Sequence, residues 1–103
     1  MLSAGVTLIQ AGTATSAGQQ WPGGRGQFVV VATTFDNEKV TLEFLGPDGS
    51  TWLPVIDSAG NEVEFSQNGS ALFELPPCTI RAAVSTGGGS PAGIYAAASR
   101  IPY

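Results

Sequence analysis

With 103 residues the chain has room for one domain, and at this size folding hides only about two thirds of the surface of the unfolded chain. Charged residues are 12% of it, and the net charge of −4 leaves Arg25, Lys39, Arg81 and Arg100 as scattered cations, so there is no basic stripe to neutralise phosphates and neither nucleic acid nor an anionic membrane is an expected partner. No apolar run nears the roughly 20 residues of a membrane-spanning helix; histidine is absent and Cys78 is the single cysteine, which removes serine triads, cysteine–histidine pairs, ordinary zinc sites and an intrachain disulfide.

A small domain with 14 glycines and so few charges is expected to cover part of its surface against other protein chains. The start of the chain lacks the basic residues and long apolar core of a secretion signal, and a lone cysteine fits synthesis in a reducing compartment.

Residues 1–24 carry no charged side chain and are rich in Ala, Gly, Ser, Thr and Gln. One short strand is expected at residues 6–10, and residues 11–20 have no clear period, so residues 1–20 read as an extended arm. A frayed terminus and an arm ordered against a neighbouring subunit are both compatible with that composition. Leu8, Ile9 and Trp21 are the side chains able to offset the entropy of ordering it. The turn cluster Trp21-Pro22-Gly23-Gly24-Arg25-Gly26 leads into the strongest strand signal, residues 27–35. Its three consecutive valines predict a strand buried on both faces or central in its sheet.

After a polar turn at residues 36–39 comes a hairpin over residues 40–56. Val40, Leu42 and Phe44 share one parity and Thr41 and Glu43 the other, the pattern of a half-buried strand. Gly46-Pro47-Asp48-Gly49 supplies the turn, and the returning strand holds Pro54, which predicts an edge or bulge there. Residues 62–65 alternate charged and apolar side chains, an edge-type strand with one wet face. Residues 70–75 run back until Pro76-Pro77 stops them, and residues 79–85 form another strand, ended by Gly87-Gly88-Gly89-Ser90-Pro91. Residues 94–101 contain an alanine run that favours helix on propensity, but the segment is short, closed by Pro102 and surrounded by strands, so the reading is strand. About seven or eight short strands with Gly/Pro turns predict one all-β domain, an antiparallel β-sandwich or jelly-roll-like barrel over residues 21–103, preceded by the arm.

Candidate chemistry is thin. Asp36 with Glu38 and Glu62 with Glu64 are the closest carboxylate pairs, but solvated turns and strand faces produce such spacings without catalysis. Asp48, and the group Asp57, Asn61 and Glu62, are too sparse for a calcium loop and suit turn capping. Residues 87–90 have no following lysine and open no helix, so they read as a flexible loop rather than a phosphate cradle. Asn68-Gly69-Ser70 matches a glycosylation acceptor, which has meaning only in a secreted chain. Cys78 has no cationic neighbour in sequence to activate it. Trp21, Trp52, Phe73 and Tyr95 are candidates for a sugar-stacking platform, against the alternative that most of them are core. No cofactor is expected, and the chain does not read as an enzyme.

Trp21-Pro22-Gly23-Gly24-Arg25-Gly26 followed by Phe28-Val29-Val30 resembles a group of small tailed-bacteriophage proteins, often encoded near head genes. The same group commonly shows the segment seen here as Val40-Thr41-Leu42-Glu43-Phe44-Leu45-Gly46-Pro47-Asp48-Gly49-Ser50-Thr51-Trp52. Leu75-Pro76-Pro77, Ile80-Arg81-Ala82-Ala83-Val84 and Tyr95-Ala96 look similar too, so the likeness runs in order over about residues 20–100. Cys78 departs from it, standing where a turn glycine is expected after the two prolines. The resemblance implies a virion structural protein of capsid decoration (cement) type, made in the host cytoplasm and placed on the capsid exterior. Its implied partners are the major capsid protein and further copies of itself, a trimer being favoured. Leu8, Ile9, Trp21, Pro22 and Arg25 are the expected interface residues. A head–tail joining or tail accessory protein is the next reading, and a carbohydrate-binding module is the alternative from another class.

Overall fold

Alternation decides which side of each strand faces inward. The computed structural model describes residues 5–101; the first four residues of the expected arm and the last two of the expected sandwich domain, Pro102 among them, lie outside the described residues. The elements in order are β1 (Gly5–Gly12), β2 (Gln19–Trp21), β3 (Gly24–Val31), β4 (Val40–Leu45), β5 (Trp52–Pro54), β6 (Glu64–Phe65), β7 (Gly69–Leu75), β8 (Cys78–Val84) and β9 (Ile94–Arg100). They form two antiparallel sheets, one in the order β1-β9-β3-β7 and the other in the order β2-β8-β4-β5, with β6 also paired to β4. The fold is a β-sandwich, as the strand pattern predicts, and the segment expected at residues 94–101 is a strand over Ile94–Arg100 rather than a helix. The described residues hold more strands than expected because the presumed arm contributes two of them.

The inward sides of the two sheets make one core. On β3, Phe28 and Val30 point inward with Gly26; Ile94, Ala96 and Ala98 do so on β9, Ile80 and Ala82 on β8, and Val40 and Leu42 on β4. The alanine run of β9 therefore serves as a thin inward face in the middle of its sheet. The valine run meets the second of its two alternatives, a central strand, and not the first, burial on both faces. Strand β3 is central in its sheet, between β9 and β7, yet Val30 is the one valine of the three that is buried, while Val29 and Val31 are 39% and 40% exposed.

The hairpin β4–β5 forms around residues 46–51, with Gly49 at φ +77° and Pro54 on an edge strand as expected. Beyond β4 the edge is shared: β6 pairs with its start and β5 with its end. At the junction, Leu42 N donates to Val63 O, Val63 N to Val55 O and Val55 N to Leu42 O, each at 2.9 Å. These three residues are almost completely buried, and the ring of bonds satisfies main-chain groups that neither short strand reaches.

The N-terminal segment is part of the sandwich. Strand β1 pairs along its length with β9, with register shifts between Thr7 and Ile9 and between Gln10 and Gly12. The first shift is a bulge, which breaks the parity of the strand and lets consecutive Leu8 and Ile9 both reach the core. Residues 13–18 then cross to the second sheet. There Ser16 N donates to Ala82 O at 2.9 Å, while Ala82 N and Val84 N donate to the hydroxyls of Ser16 and Thr15 at 3.0 Å. Hydroxyl oxygens thus replace strand carbonyls along the edge of β8, which is why a segment with no period is nonetheless docked.

Trp21 ties the two sheets together. It belongs to β2 in the second sheet, is fully buried, and lies 5.0 Å from the ring of Phe73, on β7 of the first sheet. Its indole N–H has no acceptor among the described residues, so packing holds the ring. The space comes from Gly26, where a Cβ would sit 2.6 Å from the Trp21 ring and 2.7 Å from that of Phe73. Gly26→Ala is therefore expected to destabilise the fold by about 1–3 kcal/mol, the usual cost of overpacking a filled core. At roughly 4–8 °C per kcal/mol for a domain of this size, thermal melting followed by circular dichroism checks it; an unchanged midpoint would contradict the packing account.

Candidate interaction surface

The acidic groups singled out in the sequence organise loops. Glu38, only 3% exposed, accepts hydrogen bonds from the Ser85 hydroxyl at 2.5 Å, from Gly87 N at 2.9 Å to both oxygens, and from Gly89 N at 2.6 Å. Asp36 accepts from Ser90 N at 2.6 Å. The glycine-rich loop expected to be flexible is thus a cradle for an anion, and the anion is the chain's own carboxylate. A side chain would not fit at its centre: a Cβ on Gly89 would run into the Asp36 carbonyl oxygen. Both carboxylates of the first candidate pair are engaged here by main-chain donors. In the second pair, Glu64 bridges Lys39 at 3.6 Å on the exposed side of β6.

Asp48 closes the β4–β5 turn by accepting from the Thr51 hydroxyl and from the amides of Ser50 and Thr51, which hold its carboxyl down at about 2. Asp57 closes the turn of residues 57–61 by accepting from Ala59 N and Asn61 N. Asn68, of the glycosylation pattern, accepts from Ala32 N at 2.9 Å. Among the described residues no three His, Cys, Asp or Glu side chains gather as metal ligands. Cys78 opens β8 half-buried, and burial pushes its thiol pKa up, away from reactivity.

The aromatic residues do not assemble into a platform. Trp21 and Phe73 are core, Trp52 lies half-buried under the Arg81 guanidinium at 4.3 Å, and Tyr95 is exposed on the other sheet. The expected interface set divides in the same way. Leu8, Ile9 and Trp21 are buried inside their own chain, because a domain this small needs its few large apolar side chains for its own core. They are not available to a neighbour, which corrects the expectation for these three residues. Pro22 and Arg25 are exposed, and Arg25 stands opposite Glu74 across β3–β7.

What the sequence reading missed is the outer face of the β1-β9-β3-β7 sheet. Register places Thr7, Ala97, Val29 and Ser70 in one row across the four strands, Ser99, Gln27 and Leu72 in the next, and Gln10, Tyr95 and Val31 on the other side of the first. None of these side chains is charged. Val29, Val31, Leu72 and Tyr95 are between 39% and 51% exposed, and Gln27 Nε2 donates to Ser70 Oγ at 3.3 Å among them. Among the described residues charge enters this face only at one end, with Arg25 and Glu74. The opposite face of the sandwich carries the Glu43–Arg81 ion pair at 2.7 Å, directly across β4–β8. The β1-β9-β3-β7 face is therefore continuous and uncharged up to that end, with apolar and polar side chains mixed along its rows. The signal was present in the valine run, whose uniform apolarity hid which valines face outward.

No family model matches the chain, and no curated protein matches it in sequence. Among solved structures it is similar to the SPBc2 prophage-derived protein YomS, with a TM-score of 0.65 over 94% of this chain and 89% of that one at 10% sequence identity. The likeness is one of fold.

Glu38 gives that fold a pH signature. The Ser85 hydroxyl first, then the Gly87 and Gly89 amides, hold its carboxyl below the ordinary value of 4.5. The stability it contributes is complete above that ordinary value and is lost as pH falls through the lowered folded value. Glu38→Gln, whose amide nitrogen cannot accept from these donors, is expected to melt lower than the wild type at neutral pH, with the gap closing as pH falls below that ordinary value and the carboxylate of the folded wild type is protonated. Parallel thermal melts across that range check it; a gap that stays constant would mean the anion is not what holds the loop.

Proposed function

We propose that this chain is a tailed-bacteriophage virion protein that decorates the capsid exterior, with the uncharged outer face of the β1-β9-β3-β7 sheet laid against capsid subunits. The observation that carries the reading is that face: a row structure of Val29, Val31, Leu72 and Tyr95 among small and amide side chains, with charge confined to one end. Two further points support it. The ordered motifs from Trp21 to Tyr95 resemble small phage proteins encoded near head genes, and the fold is shared with a prophage-derived protein. A decorating protein needs a domain stable alone and a modest adhesive face, because many copies on one shell bind by multivalency. In this reading the major capsid protein is the partner, and the sandwich core is left intact on binding.

The copy number of the chain relative to the major capsid protein, measured by quantitative mass spectrometry on purified particles of the encoding phage, tests the role. A ratio near one, or a simple fraction of it, is expected. A handful of copies would move the protein to the neck or tail, and absence from particles would overturn the virion reading. The face itself is tested by Val29→Glu and Tyr95→Glu, both at exposed positions. Each is expected to weaken binding to capsids by about tenfold or more, a loss of roughly 1.4 kcal/mol, with the melting temperature unchanged. Undiminished binding by both would place the contact elsewhere.

A further inference from the structure

Among the described residues five strands have an open side, and four of them are defended against pairing. Strand β1 is broken by two register shifts, β2 is three residues long and is followed by Pro22, β5 is three residues long and contains Pro54, and β6 has two residues. Such devices keep sheet edges from joining other chains. Strand β7 has none of them. It runs seven residues in unbroken register with β3 from Gly69 to Leu75, contains no proline or lysine and one charge, Glu74, near its end, and among the described residues pairs on that one side alone. Beside it lies an open depression of about 550 Å³ lined by Leu72, Phe73 and Glu74 of β7, by Arg25 of β3 and by Ile56, Asp57 and Ser58 of the loop after β5. Leu72 and Ile56 are the two most exposed large apolar side chains among the described residues, at 51% and 50%.

We propose that β7 is a pairing edge for a second copy of this chain, antiparallel and centred on Leu72. The occupant follows from self-complementarity. A two-fold axis at Leu72 sets that side chain against Leu72 of the second copy, and sets Ser70 and Glu74 against Glu74 and Ser70 of the second copy. Each carboxylate then faces a hydroxyl donor and no like charges oppose one another, which cross-strand pairing requires. On the inner side, half-buried Ala71 meets the second copy's Phe73, a small residue against a large one. The axis stands perpendicular to the sheet, so the two β1-β9-β3-β7 sheets join into one and their uncharged outer faces lie on the same side. The contact is isologous and closes on itself, unlike the trimer that the sequence reading favours. It stands on the edge alone and does not require the capsid reading.

The full-length chain, purified without any other protein, tests this by light scattering and sedimentation over rising concentration. The mass is expected to move from 10.5 kDa toward twice that value, and Leu72→Lys, at an exposed edge position, is expected to stay at 10.5 kDa with an unchanged melting curve at low concentration. Register is read by cross-linking. Opposed residues of an antiparallel pair have Cα atoms about 4.5–5.5 Å apart, within the span of a disulfide. Leu72→Cys in a Cys78→Ala background is therefore expected to give a covalent dimer on mild oxidation, while Thr7→Cys on the opposite edge strand in that background gives none. A wild type that stays monomeric to about millimolar concentration would overturn the proposal, as would a dimer that survives Leu72→Lys. So would a monomer that uses Leu72 only to take up an extended segment of another protein. None of these results bears on the copy number in virions, so the two readings fail separately.

Discussion

The contact of Trp21 with Phe73 over Gly26 is the constraint on which the rest of the sandwich depends. The indole comes from a three-residue edge strand of one sheet and ends against two strands of the other, β3 and β7. An aromatic ring this large reaches across only where the facing position has no side chain, and Gly26 is that position. Because Gly26 stands opposite Phe73 in the β3–β7 register, one glycine clears both the space under the indole and the space beside the phenyl ring. The separation of the sheets near this end, the placement of β2 along β8 and the inward parity of β3 and β7 are all set by this contact. Inward parity on β3 in turn sends Val29 and Val31 outward. The uncharged face is thus a consequence of how the core closes.

Most of the strands were legible because one-sided burial writes itself as alternation. The β4 parity, the turn at Gly46 to Gly49 and the edge position of Pro54 all follow from local patterns with a local cause, whereas the strand at residues 94–100 runs against its local alanine propensity and follows from its shortness and its strand neighbours. The failures share a different cause. Leu8 and Ile9 are adjacent and both buried, which no period-two pattern allows; a bulge resolves it, and a bulge depends on the partner strand. Residues 13–18 look unstructured because their docking uses Ser and Thr hydroxyls as acceptors for β8, which leaves no apolar trace. Glu38 reads as a wet turn residue, yet its donors are Ser85, Gly87 and Gly89, far along the chain. Contacts between distant segments that rest on polar groups are what a sequence pattern cannot display.

The same distinction applies to the candidate site. Three of the five residues expected at an interface, Leu8, Ile9 and Trp21, are the large apolar ones in a segment without charge. In a chain with few large side chains those are the ones the core claims first, and Leu8, Ile9 and Trp21 went there. The residues left at the surface to make a contact are less conspicuous: two valines from a run of three, one leucine and one tyrosine, brought into rows by strand register alone.

Charge sorting explains why the two outer faces of the sandwich differ in kind. On the β2-β8-β4-β5 side, Glu43 holds Arg81 and Arg81 covers Trp52, so the cation is used within the chain and the indole is sheltered from partners. Lys39 is likewise near Glu64. Asp36, Glu38, Asp48 and Asp57 are consumed by loops at the ends and edges of the sheets. With only 12% charged residues to distribute, these structural uses take most of them, and those left on the strands of the β1-β9-β3-β7 sheet, Arg25, Glu74 and Arg100, stand together at one end of it. A low charge content concentrated in turns therefore produces, without any dedicated motif, one broad face with little desolvation cost on contact. That face borders the undefended edge of β7, so a neighbour that extends the sheet also extends the uncharged surface.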